Sequence, residues 1–333
     1  MKKPVISKEI EGFLELKGVS RRDFLKYCAA TAAIFGISEF DFTSKVVHAM
    51  ETASKKPPVI WLEGQDCAGC TISFLGVMYP PVISVILDKI SLRYHETAMV
   101  ASGEMAEHAL HETIKAGGYV LIVEGSVPSA DDRYCMIGGK PFRKTLEEAA
   151  SKAGAIIAVG SCATYGGIPG ATVTKGIGLD KALPGKTVIN LPTCPVHPDR
   201  VAGTILYFLT TGKVPELDKL GRPVMYYGDL IHDNCRRRAH FDAGRFLKDW
   251  NDPKQKDWCL FQKGCKGPMT NADCPVRRWN NGINFCIDCG APCNGCAEPG
   301  FYAEMTPIYT AESETSKKIY ALRKNGHFNR EKA

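Results

Sequence analysis

Along the first two thirds of the chain, short unbroken apolar runs alternate with Gly- and Pro-rich loops and with stretches whose apolar residues recur at helical spacing. Val59-Ile60-Trp61-Leu62 reads as a buried strand, followed by the loop Glu63 to Cys70 and a helix-compatible segment. Tyr119 to Val123 is a second run of this kind and leads into Glu124-Gly125-Ser126-Val127-Pro128. Phe142 to Ala153 has helical spacing, and the strand Ala155 to Val159 after it ends in Gly160-Ser161-Cys162. Thr187 to Leu191 is a further strand ending in Pro192-Thr193-Cys194-Pro195, and Pro198 to Thr211 suits a helix. Alternation in this order predicts an α/β fold with a mainly parallel sheet covered by helices.

Past the turn Gly221-Arg222-Pro223, Val224 to Tyr227 reads as strand-like, and beyond it the long apolar runs stop while cysteine becomes frequent. The pattern divides the chain into an amino-terminal address (1–49), an α/β layer (50–225, entered through the linker Glu51 to Lys56), a small loop-rich domain (226–301) and a tail (302–333). A domain of about 75 residues with so few apolar runs needs staples, and bound metal would then supply folding energy as well as function.

Composition narrows the class. An apolar fraction of 44% with 23% charged residues in 333 residues is that of a globular protein. The formal charge of +6 falls only to +4 without residues 1–49, too mild a surplus to indicate a nucleic-acid partner. The longest weakly polar run, Tyr27 to Ser38, is short of the roughly 20 residues that span a bilayer, so no transmembrane helix is expected. Ser20-Arg21-Arg22-Asp23-Phe24-Leu25-Lys26, the apolar stretch Tyr27 to Ile37 and the small-residue site Val47-His48-Ala49 together resemble a twin-arginine export signal cleaved after Ala49. Such a signal exports proteins already folded, which suits one carrying preassembled metal centres to the periplasm or another extracytoplasmic space.

Seven of the fourteen cysteines lie between Cys259 and Cys296, and the grouping in C-x-x-C pairs favours metal over disulfides. Cys67, Cys70, Cys162 and Cys194 each follow the end of an expected strand, where ligands bind in open parallel sheets, so four thiolates from three loops can converge on one centre. Structural zinc and a 4Fe-4S cluster are the competing occupants; one local pair plus two distant single cysteines is unusual for zinc. His232 and Cys235 with Cys259 and Cys265 form a second set, for zinc or a cluster. Cys274, Cys286, Cys289, Cys293 and Cys296 offer five thiols for four places, and spacing alone leaves Cys286 and Cys289 equivalent. Cys135 has no near partner and reads as a packing residue; Cys28 lies inside the export signal and is assigned no function. Asp66 reads as a solvated or loop-capping residue, with a proton path as its alternative role. No phosphate-binding glycine loop is present, so nucleotide binding is not supported.

The ordered motifs D-C-A-G-C at 66–70, G-S-C-A-T-Y-G-G at 160–167, C-P-V-H-P-D at 194–199, I-H-D-N-C at 231–235, G-C-K-G-P at 264–268 and R-W-N-N-G-I-N-F at 278–285 resemble those of the small subunits of nickel-iron hydrogenases. The resemblance runs from the export signal to about Phe301. It implies a flavodoxin-like domain followed by a cluster domain, and an electron-transfer subunit whose nickel-iron centre lies in a partner large subunit. It implies a proximal 4Fe-4S cluster on Cys67, Cys70, Cys162 and Cys194, a distal one on His232, Cys235, Cys259 and Cys265, and a medial centre on Cys274, Cys293 and Cys296. Many members have a three-iron medial centre because proline stands at a fourth position. Here Cys286 stands there, which implies a medial 4Fe-4S cluster of lower potential, as in nickel-iron-selenium relatives, with Cys289 as a substitute ligand. Gly69 and Gly167 occupy the places of the two extra cysteines of oxygen-tolerant members, so an ordinary proximal cluster and oxygen sensitivity are expected. Arg236-Arg237-Arg238, beside the distal ligands, reads as a patch that steers a cytochrome-type or membrane-anchored carrier, or as a solvated charge run. The alternatives are a cluster subunit of a respiratory complex and a zinc-binding scaffold.

Overall fold

The computed structural model describes residues 6, 8–16, 20–34, 38–52 and 56–302. Five strands, β1 (Pro58–Glu63), β2 (Ser91–His95), β3 (Val120–Glu124), β4 (Ala155–Val159) and β5 (Val188–Leu191), form one sheet in the order β2-β1-β3-β4-β5. All four pairings are parallel; Val59 lies opposite Val120, Val120 opposite Ala155, and Ile156 opposite Val188. That is the doubly wound, flavodoxin-like order, with the direction of winding reversing between β1 and β3.

The inner strands β3 and β4 are buried at every position, without alternation, because both faces are covered. On one face Ile60, Leu62, Leu121, Val123 and Ile156 pack with Leu110, Phe142 and Leu146. Leu110 comes from the helix Glu104–Ala116, whose buried Ala106, Leu110 and Thr113 recur at helical spacing, and Phe142 and Leu146 from the helix Phe142–Lys152. On the other face Val59, Trp61, Ile122, Ile157 and Leu191 pack with Phe74 of the helix Gly69–Phe74 and with Val201 and Ile205 of the helix Pro198–Thr211. This second apolar layer continues without a break into Tyr226, Tyr227, Ile231, Leu260, Phe285 and Ile287, so the cysteine-rich part shares its core with the sheet.

Val224 to Tyr227 is a short helix, not the strand its composition suggested. The amides of Tyr226 and Tyr227 both donate to the carbonyl of Pro223, at 3.0 and 3.1 Å, and Pro at the entry of a helical turn loses no hydrogen bond. The turn lets the adjacent Tyr226 and Tyr227 both face inward, which a strand would forbid. The edge strand β2 and the helix Glu104–Ala116 had no counterpart in the expected elements.

At the amino end, α1 (Lys8–Leu16), α2 (Arg21–Ile34) and α3 (Glu39–Thr52) gather Ile10, Leu14, Phe24, Cys28, Phe42 and Val47 into a separate apolar cluster, against which Ile83 and Leu87 rest. Cys28 is thus a packing residue. The apolar stretch expected to reach Ile37 is helical to Ile34; residues 35–37, linker residues 53–55 and the tail from residue 303 lie outside the described residues. Among the described residues no helix is long and apolar enough to cross a membrane.

Candidate metal centres

The carboxyl ends of β1, β4 and β5 deliver the first thiol group. Asp66 accepts a hydrogen bond from the Ala68 amide at 2.9 Å, which turns the loop through the left-handed Ala68 (φ 54°) and presents Cys67 and Cys70 side by side. Asp66 is therefore a loop cap in this geometry. Glu124, at the end of β3, accepts from the amides of Cys70 and Thr71 at 2.9 and 2.8 Å and from the Thr71 hydroxyl at 2.6 Å, fixing the start of the helix that carries Cys70. Cys162 follows Gly160, and Cys194 follows Thr193. The two loops are tied by Ser161 N–H to Thr193 O at 3.1 Å and Thr193 N–H to Ser161 Oγ at 3.2 Å.

Glycine leaves room for these sulfurs. A β-carbon on Gly160 would collide with Cys70 Sγ; one on Gly69 would lie 3.0 Å from Cys67 Sγ, and one on Gly167 2.8 Å from Cys162 Sγ. Burial pushes the Cys162 thiol up to about 12, with Cys194 and Cys67 adding to the effect. Burial, then Glu124, and then Cys162 and Cys194 raise Cys70 well above the thiol range, and Cys194 is raised by burial and Cys67. Cys162 and Cys194 thus lie within electrostatic reach of both Cys67 and Cys70.

The second group lines a single cavity that takes in His232, Cys235, Cys259 and Cys265 together with Leu260 and Phe261. His232 is buried, its ring edge-on to Phe241 at 4.4 Å, and its amide donates to Gly267 O at 3.2 Å. Burial pushes Cys259 up to about 12, with Cys265 and Cys235 contributing. Burial takes Cys265 to about 11 despite the Gly267 and Cys293 amides that oppose it.

Cys274, Cys286, Cys293 and Cys296 form the third group. Burial takes Cys296 up to about 12, followed by Cys274 and, more weakly, Cys286 and Cys194. Cys293 is raised well above the thiol range by burial and then by Cys265, Cys296 and Cys274. Cys286 faces both Cys274 and Cys289. Cys194 of the first group adds to the rise of Cys296 in the third, and the Cys293 amide of the third donates to Cys265 Sγ of the second at 3.4 Å. The Ser161 hydroxyl donates to Cys296 O, and Lys266 N–H to Cys293 O at 2.7 Å, so backbone bonds clasp the same junctions.

Cys135 is half-buried and lies outside the three groups, its thiol pushed to about 11 by burial. Glu124, Ser161 and Arg200 belong to the sites although none was singled out in the sequence. An acid closing the wholly apolar run Val120 to Val123 was the one readable signal. Among Arg236, Arg237 and Arg238, the middle residue is buried and donates to the carbonyls of Lys256 and Trp258 at 3.1 and 2.7 Å, so it is not part of a steering patch. Arg236 and Arg238 are exposed and face Asp288, Asp233 and Asp242.

Twelve donors, eleven thiols and one imidazole, gather in three places, eight of the thiols and the imidazole buried or half-buried and Cys67, Cys194 and Cys286 exposed, and a cationic metal core is what would hold the thiols deprotonated there. Around one zinc ion with Zn–S of ~2.3 Å, sulfurs stand about 3.8 Å apart. Among the described residues, the only three metal-binding donors within 4.8 Å of one another are the carboxylates of Glu63, Asp66 and Glu124, so no three thiols there stand that close together.

Two families match the sequence in succession: the 20 Kd subunit of NADH ubiquinone oxidoreductase over residues 67–208, and the C-terminal part of NiFe/NiFeSe hydrogenase small subunits over residues 227–309. The uptake hydrogenase small subunit of Azotobacter vinelandii is 44% identical over 86% of this chain and 81% of its own. The periplasmic [NiFe] hydrogenase small subunit of Solidesulfovibrio fructosivorans is 42% identical over 90% of this chain and 96% of its own. The reduced, active Ni-Fe-Se hydrogenase of Desulfomicrobium baculatum superposes with a TM-score of 0.73 at 38% identity, covering 77% of this chain and 100% of that one. The α/β part alone would fit a respiratory-complex subunit; the hydrogenase-specific match over the cysteine-rich part excludes that alternative. The chain belongs to the small-subunit family of nickel-iron hydrogenases, the iron-sulfur electron-transfer partner of a large catalytic subunit.

Proposed function

We propose that the three sulfur groups hold three 4Fe-4S clusters in a line: proximal on Cys67, Cys70, Cys162 and Cys194, medial on Cys274, Cys286, Cys293 and Cys296, distal on His232, Cys235, Cys259 and Cys265. When bound, such clusters carry single electrons between the dihydrogen-activating site of the large subunit and an external carrier. The observation that carries this reading is the pair of contacts between groups, the Ser161 hydroxyl to Cys296 O and the Cys293 amide to Cys265 Sγ at 3.4 Å, which set the third group against both of the others. The chain's own residues supply the thiolates, the imidazole and the glycine-lined space. No residue here performs the hydrogen chemistry. Gly69 and Gly167 leave the proximal group with four sulfurs only, which favours an ordinary, oxygen-sensitive proximal cluster.

Residues 1–49 act as a twin-arginine signal that exports the folded subunit to the periplasm. The Arg pair opens α2, and the relative named as periplasmic aligns over 90% of this chain. The carrier is a cytochrome-type protein or a separately anchored subunit that docks beside His232, where Arg236 and Arg238 are exposed. The test is purification of the native complex: a nickel-containing partner should copurify, with about twelve irons and twelve acid-labile sulfides per small subunit, three centres of about four. Zinc without visible charge-transfer absorbance would remove the cluster reading. Retention in the cytoplasm of an Arg21→Lys, Arg22→Lys variant tests the signal; unchanged export would refute it.

A further inference from the structure

Arg200, on the helix Pro198–Thr211, is fully buried (0% exposed) with no path for its charge to water. Its Nη2 donates to Asp273 Oδ1 at 2.6 Å and its Nε to the same oxygen at 3.0 Å. Nη2 also lies 3.4 Å from Cys274 Sγ, in donating geometry, and Nη1 lies 3.4 Å from the Thr193 hydroxyl, one residue before Cys194. The Tyr227 ring lies beneath the guanidinium at 4.9 Å. Arg200 therefore stands between the first and third sulfur groups and touches a sulfur of the third.

Asp273 does not cancel this charge by itself, because its other oxygen accepts from Arg277 Nε at 2.7 Å. Two guanidinium groups share one carboxylate, and Arg277 has only a marginal second partner, Asp199 at 4.0 Å. A net positive charge is left against Cys274. Inside a protein such a charge acts strongly on its neighbours, and hydrogen bonds and charge at cluster sulfurs are among the determinants of reduction potential. A cluster gains one negative charge on reduction, so a donor and cation at its thiolate favours the reduced form.

We propose that Arg200 raises the reduction potential of the centre held by Cys274, Cys286, Cys293 and Cys296, offsetting the lowering that a fourth thiolate at Cys286 brings, so that this centre accepts electrons from its neighbour. The proposal rests on the cluster assignment above and adds to it a tuning residue that supplies no ligand to any centre.

The test is a redox titration of the purified heterodimer followed by electron paramagnetic resonance, the medial signal being the one that Cys286→Ala alters. In Arg200→Gln the ratio of reduced to oxidised medial centre at a fixed poise should fall at least tenfold, which is about 59 mV for a one-electron couple. Arg200→Lys, which keeps the charge, should stay within about threefold of the parent. Asp273→Asn, which keeps Arg200 but removes its counter-charge, should shift the ratio the opposite way. Iron and sulfide are measured on each sample. A merely structural role would move all three variants in one direction, and that outcome, or an unchanged potential in a fully loaded Arg200→Gln protein, overturns the proposal. If Arg200→Gln does not load, the sign of the Asp273→Asn shift decides alone, and no upward shift rejects it. Absence of any medial signal from the parent complex would instead count against the cluster assignment.

Discussion

Gly167 faces Cys162 so closely that a β-carbon on it would lie 2.8 Å from the sulfur and 2.9 Å from the Cys162 amide nitrogen. Neither atom can yield, since the amide is part of the helix Gly160–Tyr165 and the sulfur is held toward its partners. Gly167→Ala is expected to displace Cys162 and cost the protein the first centre, about four of about twelve irons. Gly103 supplies the control: its φ of +56° resembles the +51° of Gly167, but nothing lies within 4 Å of its missing side chain. Gly103→Ala, at φ 56° and ψ −135°, should lower the melting temperature through backbone strain alone and leave iron unchanged. Iron and sulfide analysis with thermal melts separates the two effects.

Cys286 and Cys289 are equivalent by spacing, but Cys296 senses Cys286. Cys286→Ala should lower iron by about one per chain and convert the medial signal to that of a three-iron centre, while Cys289→Ala leaves both unchanged. The reverse result would move the fourth ligand to Cys289.

Arg237 should separate from its neighbours. Arg237→Ala strands the Lys256 and Trp258 carbonyls in a buried place and should cost about 1–3 kcal/mol, read as a lower melting temperature. Arg236→Gln with Arg238→Gln should lower the melt less than Arg237→Ala, since both arginine side chains are at least 40% exposed and Asp288, the one buried partner, keeps Arg278 at 3.6 Å. Their effect should fall on the rate of carrier reduction, slowed most at low ionic strength. A rate independent of salt and of these charges would remove the steering role.

His95 and Glu96, at the end of β2, give stability opposed pH dependences. Burial lowers His95 from 6.5 to about 4, while its ring stacks on Trp61 at 5.1 Å. A base depressed on folding stabilises above its unfolded pKa, and that contribution is lost as pH falls from 6.5 to about 4. Burial raises Glu96 from 4.5 to about 8, assisted by the charge of Glu63 and opposed by amide donors and Tyr94. An acid raised on folding does the reverse, and its contribution is lost as pH climbs from 4.5 to about 8. Each unit corresponds to about 1.4 kcal/mol. Glu96→Gln should therefore raise the melting temperature at pH 8 relative to pH 5, and His95→Gln should flatten the acid limb. Parallel profiles for parent and variants would show that neither group is shifted.

The strands β1, β3, β4 and β5 and the helices Phe142–Lys152 and Pro198–Thr211 were legible because each is a local pattern: a continuous apolar run is a strand covered on both faces, and apolar residues at helical spacing are one face of a helix. Edge strand β2 was not, since Arg93, His95 and the mixed burial of Ser91–His95 carry no such run. The short helix Val224–Tyr227 was misread because two adjacent tyrosines favour a strand by composition, whereas both are drawn to the same apolar layer.

Donor chemistry and short-range spacing are local, so the residues able to bind metal, and their places after expected strands or in a stretch with few apolar runs, could be read from the chain alone. Which of these side chains come close to one another depends on contacts between residues far apart in sequence. Sheet order brings the loops of Cys70, Cys162 and Cys194 together, and the apolar layer shared by Ile205 and Phe285 draws the cysteine-rich part onto them. The same packing buried Arg200 and Arg237 while leaving Arg236 and Arg238 outside, a division that depends on neighbours far away in sequence.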